Sequence, residues 1–298
     1  MADIKLFNIS GNVKEYKSEN VALEKELQTV IENNMATFFG VKFLASQYTT
    51  THGRMDSIGI DENYCPVIFE YKRSISENVI NQGLFYLDWL LDHKDSFKML
   101  VIEKIGIEEA HKVDWTMPRV ICIASDFTKY DEHAIKQMNR NVSLIRYKKF
   151  GDNMLMFEHI NENIANEISG TEISTSKTKS TSQKTFNDQL QSADSNIKML
   201  YQDLTNYILS LGDDIHETRL KTCAAFKKIR NIATVVAQKK KLVVHLPLKV
   251  TTVTLEKGFS RDVTGIGHWG CGDIELSISN YSDFEKAKPL INRSYNEN

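Results

Sequence analysis

The chain has no long apolar run, and this absence is the first constraint on its function. None of its hydrophobic stretches approaches the roughly 20 residues that a membrane-spanning helix requires. The mean hydropathy is −0.35 over 298 residues. No pattern typical of a signal peptide opens the sequence. These absences exclude a membrane transporter, and they predict a cytoplasmic protein that does not enter the membrane.

Cysteine is scarce, and its spacing argues against two further classes of protein. The four cysteines lie far apart and form no CxxC pair; they are Cys65, Cys122, Cys223 and Cys271. The eight histidines show no HxxxH or Cys/His pattern. The sequence therefore predicts reduced thiols rather than a disulfide framework or a zinc site.

Neither sign of charge dominates the whole chain, but the balance is uneven along it. Residues 1–165 carry 19 Lys and Arg against 24 Asp and Glu, whereas residues 186–298 carry 15 against 13. Between Thr218 and Leu255 there are nine Lys and Arg and no acidic residue. Such a stretch is typical of attraction to a phosphate backbone, although a solvated protein surface explains it as well.

One segment is rich in hydroxyl side chains and divides the sequence. From Ser169 to Thr185, ten of 17 residues are Ser or Thr. Such a composition buries too little apolar surface to offset the entropy lost on ordering, so we expect a flexible linker. The sequence thus predicts two domains, residues 1–165 and 189–298, joined by a linker over residues 166–188.

The N-terminal part predicts an α/β domain, because its apolar residues follow helical and strand periods in turn. A helix, three strands, a helix and a strand come in that order. The predicted helices are 20–35, 76–92 and 127–138, and the predicted strands are 41–48, 55–61, 67–72, 119–124, 142–147 and 154–159.

Two carboxylates and a lysine lie at the ends of the predicted strands. Alternate side chains of a strand share a face, so Glu70 and Lys72 project together, and the preceding strand can bring Asp56 beside them. Two carboxylates suit a hard cation such as Mg²⁺. A lysine there can orient water and offset charge on a phosphate. The alternative for each residue is a solvated strand end, but the set predicts phosphoryl chemistry.

Polar residues near this set extend the prediction. Gln82 and Tyr86 share a helix face with Trp89, away from the apolar stripe, and are predicted to position substrate or metal-bound water. The alternatives are an exposed glutamine and a packed tyrosine. Arg54 and Arg73 flank the acidic residues and are predicted to contact phosphate, with a surface salt bridge as the alternative for Arg54.

The order and spacing of these residues resemble three motifs of the PD-(D/E)XK nuclease superfamily. The segments similar to its GxxD, (D/E)xK and QxxxY motifs are Gly53-x-x-Asp56, Glu70-x-Lys72 and Gln82-x-x-x-Tyr86. The resemblance implies a restriction-endonuclease-like α/β core, with a central mixed sheet flanked by helices, and DNA as the substrate. It also implies catalysis by these residues with Mg²⁺ or Mn²⁺. The superfamily also includes members that have lost catalysis.

The superfamily also supplies a carboxylate from its first helix. Glu24 best matches that position and is the predicted third metal-binding side chain beside Asp56 and Glu70. Glu32 is predicted to point toward solvent. Gln47 stands where relatives carry Glu, which predicts weaker metal binding if that position supports a ligand.

The C-terminal part predicts a smaller α+β domain, and its basic stretch and GIGHWGCGDIEL segment resemble the DUF5655 domain, whose role is not established. The GxGxxG match within that segment precedes a predicted strand, so it does not predict a dinucleotide site. His268 and Trp269 are predicted to contact a base or nucleotide by hydrogen bonding and stacking. The alternative is a capped histidine and a packed tryptophan. The predicted DNA contacts are Lys227, Lys228, Arg230, Lys239, Lys240, Lys241, His268 and Trp269.

Together these features predict a metal-dependent deoxyribonuclease of restriction, anti-phage defence or DNA repair. Its partner would be DNA, with a homodimer and a partner protein of a defence system as further expectations. The alternative is a catalytically inactive module, built on a nuclease-like core, that binds nucleic acid or protein. The acidic N-terminal balance and Gln47 favour that alternative, whereas the complete set of Asp56, Glu70 and Lys72 argues against it.

Overall fold

The computed structural model describes residues 4–20, 24–51, 53–73, 78–163, 184–266 and 271–298. Contacts between Cα atoms divide the chain into two units, residues 1–172 and 173–298. Within the described ranges, no helix is both long and apolar enough to span a bilayer. All four cysteines are buried thiols.

The first unit contains a seven-stranded mixed sheet. Its strands follow the order β3-β8-β7-β6-β5-β4, and β9 also pairs with β8. Strands β6, β7 and β8 run parallel to one another, and the other pairs of this sheet are antiparallel. A separate hairpin is formed by β1 and β2. The element bounds are β1 Leu6–Asn8, β2 Lys14–Tyr16, β3 Ser18–Glu19, α1 Glu24–Phe39, β4 Val41–Thr50, β5 Gly53–Asp61, β6 Pro66–Lys72, α2 Val79–Asp92, α3 Lys94–Ile105, α4 Ile107–Ala110, β7 Arg119–Ala124, α5 Lys129–Lys136, β8 Asn141–Phe150 and β9 Met154–Asn163.

Helices cover both faces of the sheet at its central strand β6. Every residue of β6 except the last is buried, as expected of a strand with packing on both sides. Ile68 packs in the core cluster that includes α2. Phe69 faces the other way, and its ring centroid lies 5.3 Å from that of Phe39 on α1. Since side chains alternate along a strand, Glu70 lies on the α2 side of the sheet.

The predicted α/β architecture with a mixed sheet is confirmed, while several helix ends differ from prediction. Helix α1 runs on to Phe39 and stops before Gly40, whose φ of +62° suits the left-handed conformation that ends helices. Helix α5 is shorter than predicted because Thr128 and Asp131 form a capping box at its start. Strands β1 to β3 and helices α3 and α4 had no counterpart in the prediction.

The second unit is a six-stranded antiparallel sheet with helices on one face, which confirms the predicted α+β class. The strand order is β10-β11-β12-β13-β15-β14. Helix α6 begins at Phe186, so the last residues of the predicted linker are helical; residues 164–183 lie outside the described ranges. The bounds are α6 Phe186–Gln191, α7 Ser195–Leu209, β10 His216–Arg219, β11 Ala224–Lys227, β12 Asn231–Ala237, β13 Leu242–Leu246, β14 Ser260–Asp262, β15 Ile274–Ile278 and α8 Tyr281–Glu297, with a 3₁₀ turn at Val250–Thr252.

Candidate catalytic centre

Asp56 and Glu70 face each other where strands β5 and β6 separate. The last backbone-paired residues of the two strands are Ser57 and Phe69. Beyond them, the Asp56 amide donates to Glu70 Oε1 at 3.3 Å, and the Tyr71 amide donates to Asp56 Oδ2 at 3.1 Å. Each carboxylate therefore binds the backbone of the opposite strand, which places both acidic groups side by side in the opening.

The environment of Glu70 disfavours its charged form. The side chain has no exposed surface, and the Oε2 atom has no hydrogen-bond partner in the described structure. Burial, followed by the charge of Asp56, raises the pKa of Glu70 to about 9. A buried carboxylate oxygen without a donor is costly unless something positive binds it. A divalent cation held by these two carboxylates would meet that need, so the residues present fit such an ion.

Helix α2 buries Glu70 through a glycine. A Cβ atom added at Gly83 would lie 2.5 Å from Val120 Cγ1 and 3.7 Å from Glu70 Cγ. Only a residue without a side chain lets the helix approach the sheet this closely. The close packing removes water from Glu70 and so contributes to its raised pKa.

Lys72 and Glu24 meet beside the acidic pair. Lys72 Nζ lies 3.5 Å from Glu24 Oε1, and Glu24 Oε2 accepts from the Arg73 amide at 3.2 Å. The prediction that α1 brings a carboxylate to the end of β6 thus agrees with the geometry. Within the described part of the chain, however, no group of three or more His, Cys, Asp or Glu side chains is arranged to hold a metal. The metal-binding role of Glu24 stays a prediction.

Gln47 binds Asp56 from the neighbouring strand. Its Nε2 atom donates to Asp56 Oδ1 at 3.3 Å and to Gln28 Oε1 at 3.2 Å. The backbone φ of Gln47 is +52°, a left-handed conformation that costs on the order of 1 kcal/mol or more for a residue other than glycine. The amide therefore contacts the acidic centre where a carboxylate at position 47 would repel Asp56 in the absence of a cation.

Glu32 corrects one prediction, because it points to the sheet and not to solvent. Its Oε1 accepts from Ser57 Oγ at 2.6 Å and from Gln28 Nε2 at 2.7 Å. Gln28 Nε2 also donates to the Asp56 carbonyl at 2.8 Å. The missed signal was the spacing of Glu24, Gln28 and Glu32, which puts a polar stripe beside the apolar stripe of the same helix.

Tyr86 also differs from prediction, since it lies in the core and contacts the first motif. Its side chain is buried, and its hydroxyl accepts from the Arg54 amide at 3.1 Å. At Gly53, which has a φ of +144°, an added Cβ would lie 2.9 Å from Tyr86 Oη. Trp89 Nε1 donates to Thr51 Oγ1 at 3.1 Å. Helix α2 therefore holds the strand that carries Asp56.

The other predicted contacts of the first unit lie around this centre. Gln82 is half-buried, one helical turn before Tyr86. Arg54 and Arg73 are exposed at the ends of β5 and β6. Exposed arginines at this edge remain consistent with the predicted contacts to phosphate.

The predicted basic residues of the second unit are only partly available at the surface. Lys227 is 6% exposed, so the prediction that it contacts a DNA backbone at the surface needs correction. Lys228 Nζ lies 4.2 Å from the centroid of the Tyr295 ring and donates to the Tyr295 carbonyl. Arg230 is half-buried.

Lys239 and Lys240 are exposed in the turn between β12 and β13, and Lys241 Nζ donates to Ser277 Oγ at 3.0 Å. His268 and Trp269 lie outside the described residues. Among the predicted DNA contacts that the structure describes in this unit, Lys239 and Lys240 are therefore the most accessible to a DNA backbone.

The second unit matches a known family of domains. Residues 186–298 match the family model described as Domain of unknown function (DUF5655). The match confirms the predicted resemblance, and its first residue is the first residue of α6. Over 294 residues, the chain is 29% identical to an uncharacterized protein of Haemophilus influenzae, covering 95% of this chain and 96% of that protein.

Two solved structures resemble part of the chain at low similarity. A repair endonuclease from Pyrococcus abyssi is 16% identical, covering 48% of this chain and 64% of that one, with a TM-score of 0.29. A complex of EndoMS with double-stranded DNA is 20% identical, covering 45% of this chain and 51% of that one, with a TM-score of 0.28. The chain spans less than two thirds of the length of either structure.

Proposed function

We propose that the first unit is a metal-dependent deoxyribonuclease. The observation that carries the proposal is the pair Asp56 and Glu70, held together across the opening between β5 and β6 with Glu70 Oε2 buried and without a hydrogen-bond donor. The two carboxylates would hold Mg²⁺ or Mn²⁺, with Glu24 nearby. The ion would polarise the scissile phosphate and activate water, as bound divalent ions do in phosphodiester hydrolysis.

Lys72 and the arginines would act on the substrate directly. Lys72, held by Glu24, would place its ammonium group near the attacking water and offset negative charge that builds on the phosphate. Arg54 and Arg73 would bind flanking phosphates. In-line hydrolysis would then leave a 3′-hydroxyl and a 5′-phosphate.

Cleavage of supercoiled plasmid tests the proposal. We expect nicking or linearisation with Mg²⁺ or Mn²⁺, and loss of cleavage in Glu70→Gln, because that variant keeps the shape of the side chain without its charge. Glu26→Gln is the matched control, since Glu26 lies on the same helix as Glu24 but pairs with Lys149. Base-modified plasmid, run in parallel, tests a role in restriction or defence. Equal cleavage by Glu70→Gln would refute the assignment of this centre.

A second candidate function follows from Gln47. Its amide binds Asp56 Oδ1 at 3.3 Å, where it partly satisfies the carboxylate without an ion. A nuclease-like module that binds nucleic acid without cutting would have this property. DNA binding without measurable affinity for Mg²⁺ or Mn²⁺, together with uncut plasmid, would favour it over the nuclease.

The DUF5655 domain would bring the enzyme to DNA. That DNA would be foreign or modified in a defence role, and damaged in a repair role. Lys239 and Lys240 support this role because they are exposed on a hairpin turn. The ammonium groups of such lysines attract any phosphate backbone, and the contacts that they form do not distinguish one base sequence from another. Recruitment by this domain would therefore raise affinity for many DNA sequences alike.

A further inference from the structure

Gln28 on helix α1 uses every hydrogen-bonding position of its side-chain amide. Its Nε2 atom donates to Glu32 Oε1 at 2.7 Å and to the Asp56 carbonyl at 2.8 Å. Its Oε1 atom accepts from Gln47 Nε2 at 3.2 Å and from Lys25 Nζ at 3.3 Å. An amide group has two N–H donors and two lone pairs, so these four bonds satisfy it. The side chain is only 4% exposed, as a fully paired polar group can be.

Only one orientation of the Gln28 amide fits these partners. A carboxylate and a backbone carbonyl can only accept, so the atom that faces Glu32 and the Asp56 carbonyl must be the nitrogen. The hydroxyl oxygens of Ser46 and Ser57 lie 3.2 and 3.5 Å from that nitrogen and are able to accept there as well. The oxygen of the Gln28 amide is thereby turned toward β4.

Gln47 receives the orientation of its own amide from Gln28. On β4 it stands opposite Asp56, because the residues on either side of it pair with those on either side of Asp56. The Gln28 oxygen can only accept, so Gln47 turns its nitrogen toward that oxygen. The same Nε2 atom donates to Asp56 Oδ1 at 3.3 Å. The φ of +52° at Gln47 is a strained conformation of the kind that concentrates at functional sites.

Every polar atom of Asp56 has a partner in this network. Its carbonyl accepts from Gln28, and its Oδ1 atom accepts from Gln47. Its Oδ2 atom accepts from the Tyr71 amide, and its own amide donates to Glu70 Oε1. Gln28 therefore accounts for two of the four bonds, one made directly and one made through Gln47. It binds the backbone of Asp56 and orients the group that binds the carboxylate.

A second chain of hydrogen bonds leads from the same Glu32 oxygen to the other oxygen of the Asp56 carboxylate. Glu32 Oε1 accepts from Ser57 Oγ at 2.6 Å, and Ser57 Oγ accepts from the Tyr71 hydroxyl at 3.1 Å. Tyr71 is fully buried, and its amide is the donor to Asp56 Oδ2. Both carboxylate oxygens of Asp56 are thus connected to one acceptor on α1, and the connection to Oδ1 runs through Gln28.

We propose that Gln28 is a positioning residue of the acidic centre, which fixes Asp56 for a divalent cation through the Asp56 carbonyl and through Gln47. The inference rests on the metal binding of the proposed function and not on DNA cleavage. Groups that hold a metal ligand in place typically contribute roughly 10–100-fold to metal affinity. Loss of the Gln28 amide should therefore weaken cation binding, although Asp56 and Glu70 are both still present.

Calorimetric titration of the full chain with Mn²⁺ tests this role. Gln28→Met keeps the length of the side chain but removes its hydrogen-bonding atoms, and we expect Mn²⁺ binding to weaken roughly tenfold. Ile31→Val is the control, because it loosens the buried face of the same helix without removing a polar group. An unchanged Mn²⁺ affinity in Gln28→Met, or an equal loss in both variants, would overturn the proposal.

A double-mutant cycle tests whether Gln28 acts through Gln47. Gln47→Met alone should also weaken Mn²⁺ binding, and adding it to Gln28→Met should cause little further loss, because the orientation of Gln47 is already lost. Fully additive losses would contradict the connection between the two amides.

Nuclear magnetic resonance of the metal-free natural protein, labelled with ¹⁵N-glutamine, supplies a readout that needs neither a cation nor a folded variant. The side-chain amide protons of Gln47 should exchange with water more slowly than those of Gln137, which is exposed. In Gln28→Met the Gln47 protons should exchange faster. Equal exchange at Gln47 and Gln137 in the natural protein would show that the Gln47 amide is not held, and it would overturn the proposal.

The outcomes also separate this role from the proposed nuclease activity. Weaker Mn²⁺ binding by Gln28→Met, in a protein that cuts no DNA, would support the positioning role and reject the nuclease. Cleavage that depends on Glu70, with equal Mn²⁺ affinity in Gln28→Met, would reject the positioning role alone. Absence of Mn²⁺ binding by the natural protein would overturn the positioning role together with the metal dependence of the proposed function.

Discussion

At Glu70, burial and the neighbouring Asp56 charge act in the same direction. Both raise the pKa of Glu70, from an ordinary 4.5 to about 9. The folded state therefore favours the protonated side chain. Its contribution to stability is fully present below about pH 4.5 and is lost as the pH rises toward 9. A cation at this position would reverse the preference, because it would favour the carboxylate.

Glu70→Gln should therefore be more stable than the natural protein at about pH 8 without divalent ions. The expected gain is roughly 2–4 kcal/mol in the free energy of unfolding, and it should shrink toward pH 5 because both side chains are then neutral. Chemical denaturation at several pH values measures it. Mg²⁺ should raise the stability of the natural protein only. Parallel pH profiles for the two proteins would contradict the assigned environment of Glu70.

Gln47 allows the opposite change in charge. Gln47→Glu adds a third carboxylate beside Asp56, so it should destabilise the metal-free protein near neutral pH by about 1–2 kcal/mol. It should also tighten Mg²⁺ binding roughly tenfold, because a further oxygen ligand of the right charge becomes available. Calorimetry measures both effects. Gln137→Glu, an exposed position after α5, is the control and should change neither.

Among the elements, helix α2 contacts the first residues of β5, which otherwise pairs with β4 and β6. Tyr86 binds the Arg54 amide, and Gly53 is the residue whose missing Cβ lets the tyrosine approach. The spacing of the glycine, aspartate, glutamine and tyrosine motifs therefore reflects a packing contact as well as chemistry. Asp56 lies three residues after Gly53 on the same strand, so this contact helps to fix its position.

A double-mutant cycle should show that Gly53 and Tyr86 are coupled. Tyr86→Phe should cost about 1 kcal/mol of stability, since the Arg54 amide loses its acceptor. Gly53→Ala should cost more, because alanine is strained at a φ of +144° and its Cβ would lie 2.9 Å from Tyr86 Oη. The double variant should be less destabilised than the sum, as part of the clash is removed. Strict additivity would count against the contact.

The sequence predicted the elements that alternate or repeat strongly, and it missed those with weak patterns. Strands β4 to β8 and helix α2 carry clear apolar periods, so their order was predictable. Strands β1 to β3 span two or three residues each and are largely exposed, so they leave no alternation to detect. The shared face of Glu70 and Lys72 follows from strand geometry. The contacts of Gln28 and Glu32 with β5 depend on how α1 packs against the sheet, so the sequence did not predict them.

On the scale of the whole molecule, the chain contains two units, and each carries its own candidate functional residues. The first holds a carboxylate pair suited to a cation, and the second holds the exposed Lys239 and Lys240 in the turn between β12 and β13. Contacts between Cα atoms divide the chain after residue 172, and the described residues of the core cluster around α2 and β6 all lie before that point. DNA affinity and cleavage should therefore be separable by deletion.

Removing residues 186–298 should weaken DNA binding and leave some metal-dependent cleavage. In the full chain, the double variant Lys239→Ala with Lys240→Ala should weaken binding equally for all DNA sequences. It should also reduce the slope of log affinity against log salt concentration by up to about 2. The reason is that each lysine that neutralises a phosphate releases counterions. Fluorescence anisotropy at several salt concentrations measures the slope. Lys257→Ala, at an exposed position of the same domain, is the control. Unchanged affinity after deletion would reject recruitment by the DUF5655 domain, and it would assign DNA binding to the unit that carries Arg54 and Arg73.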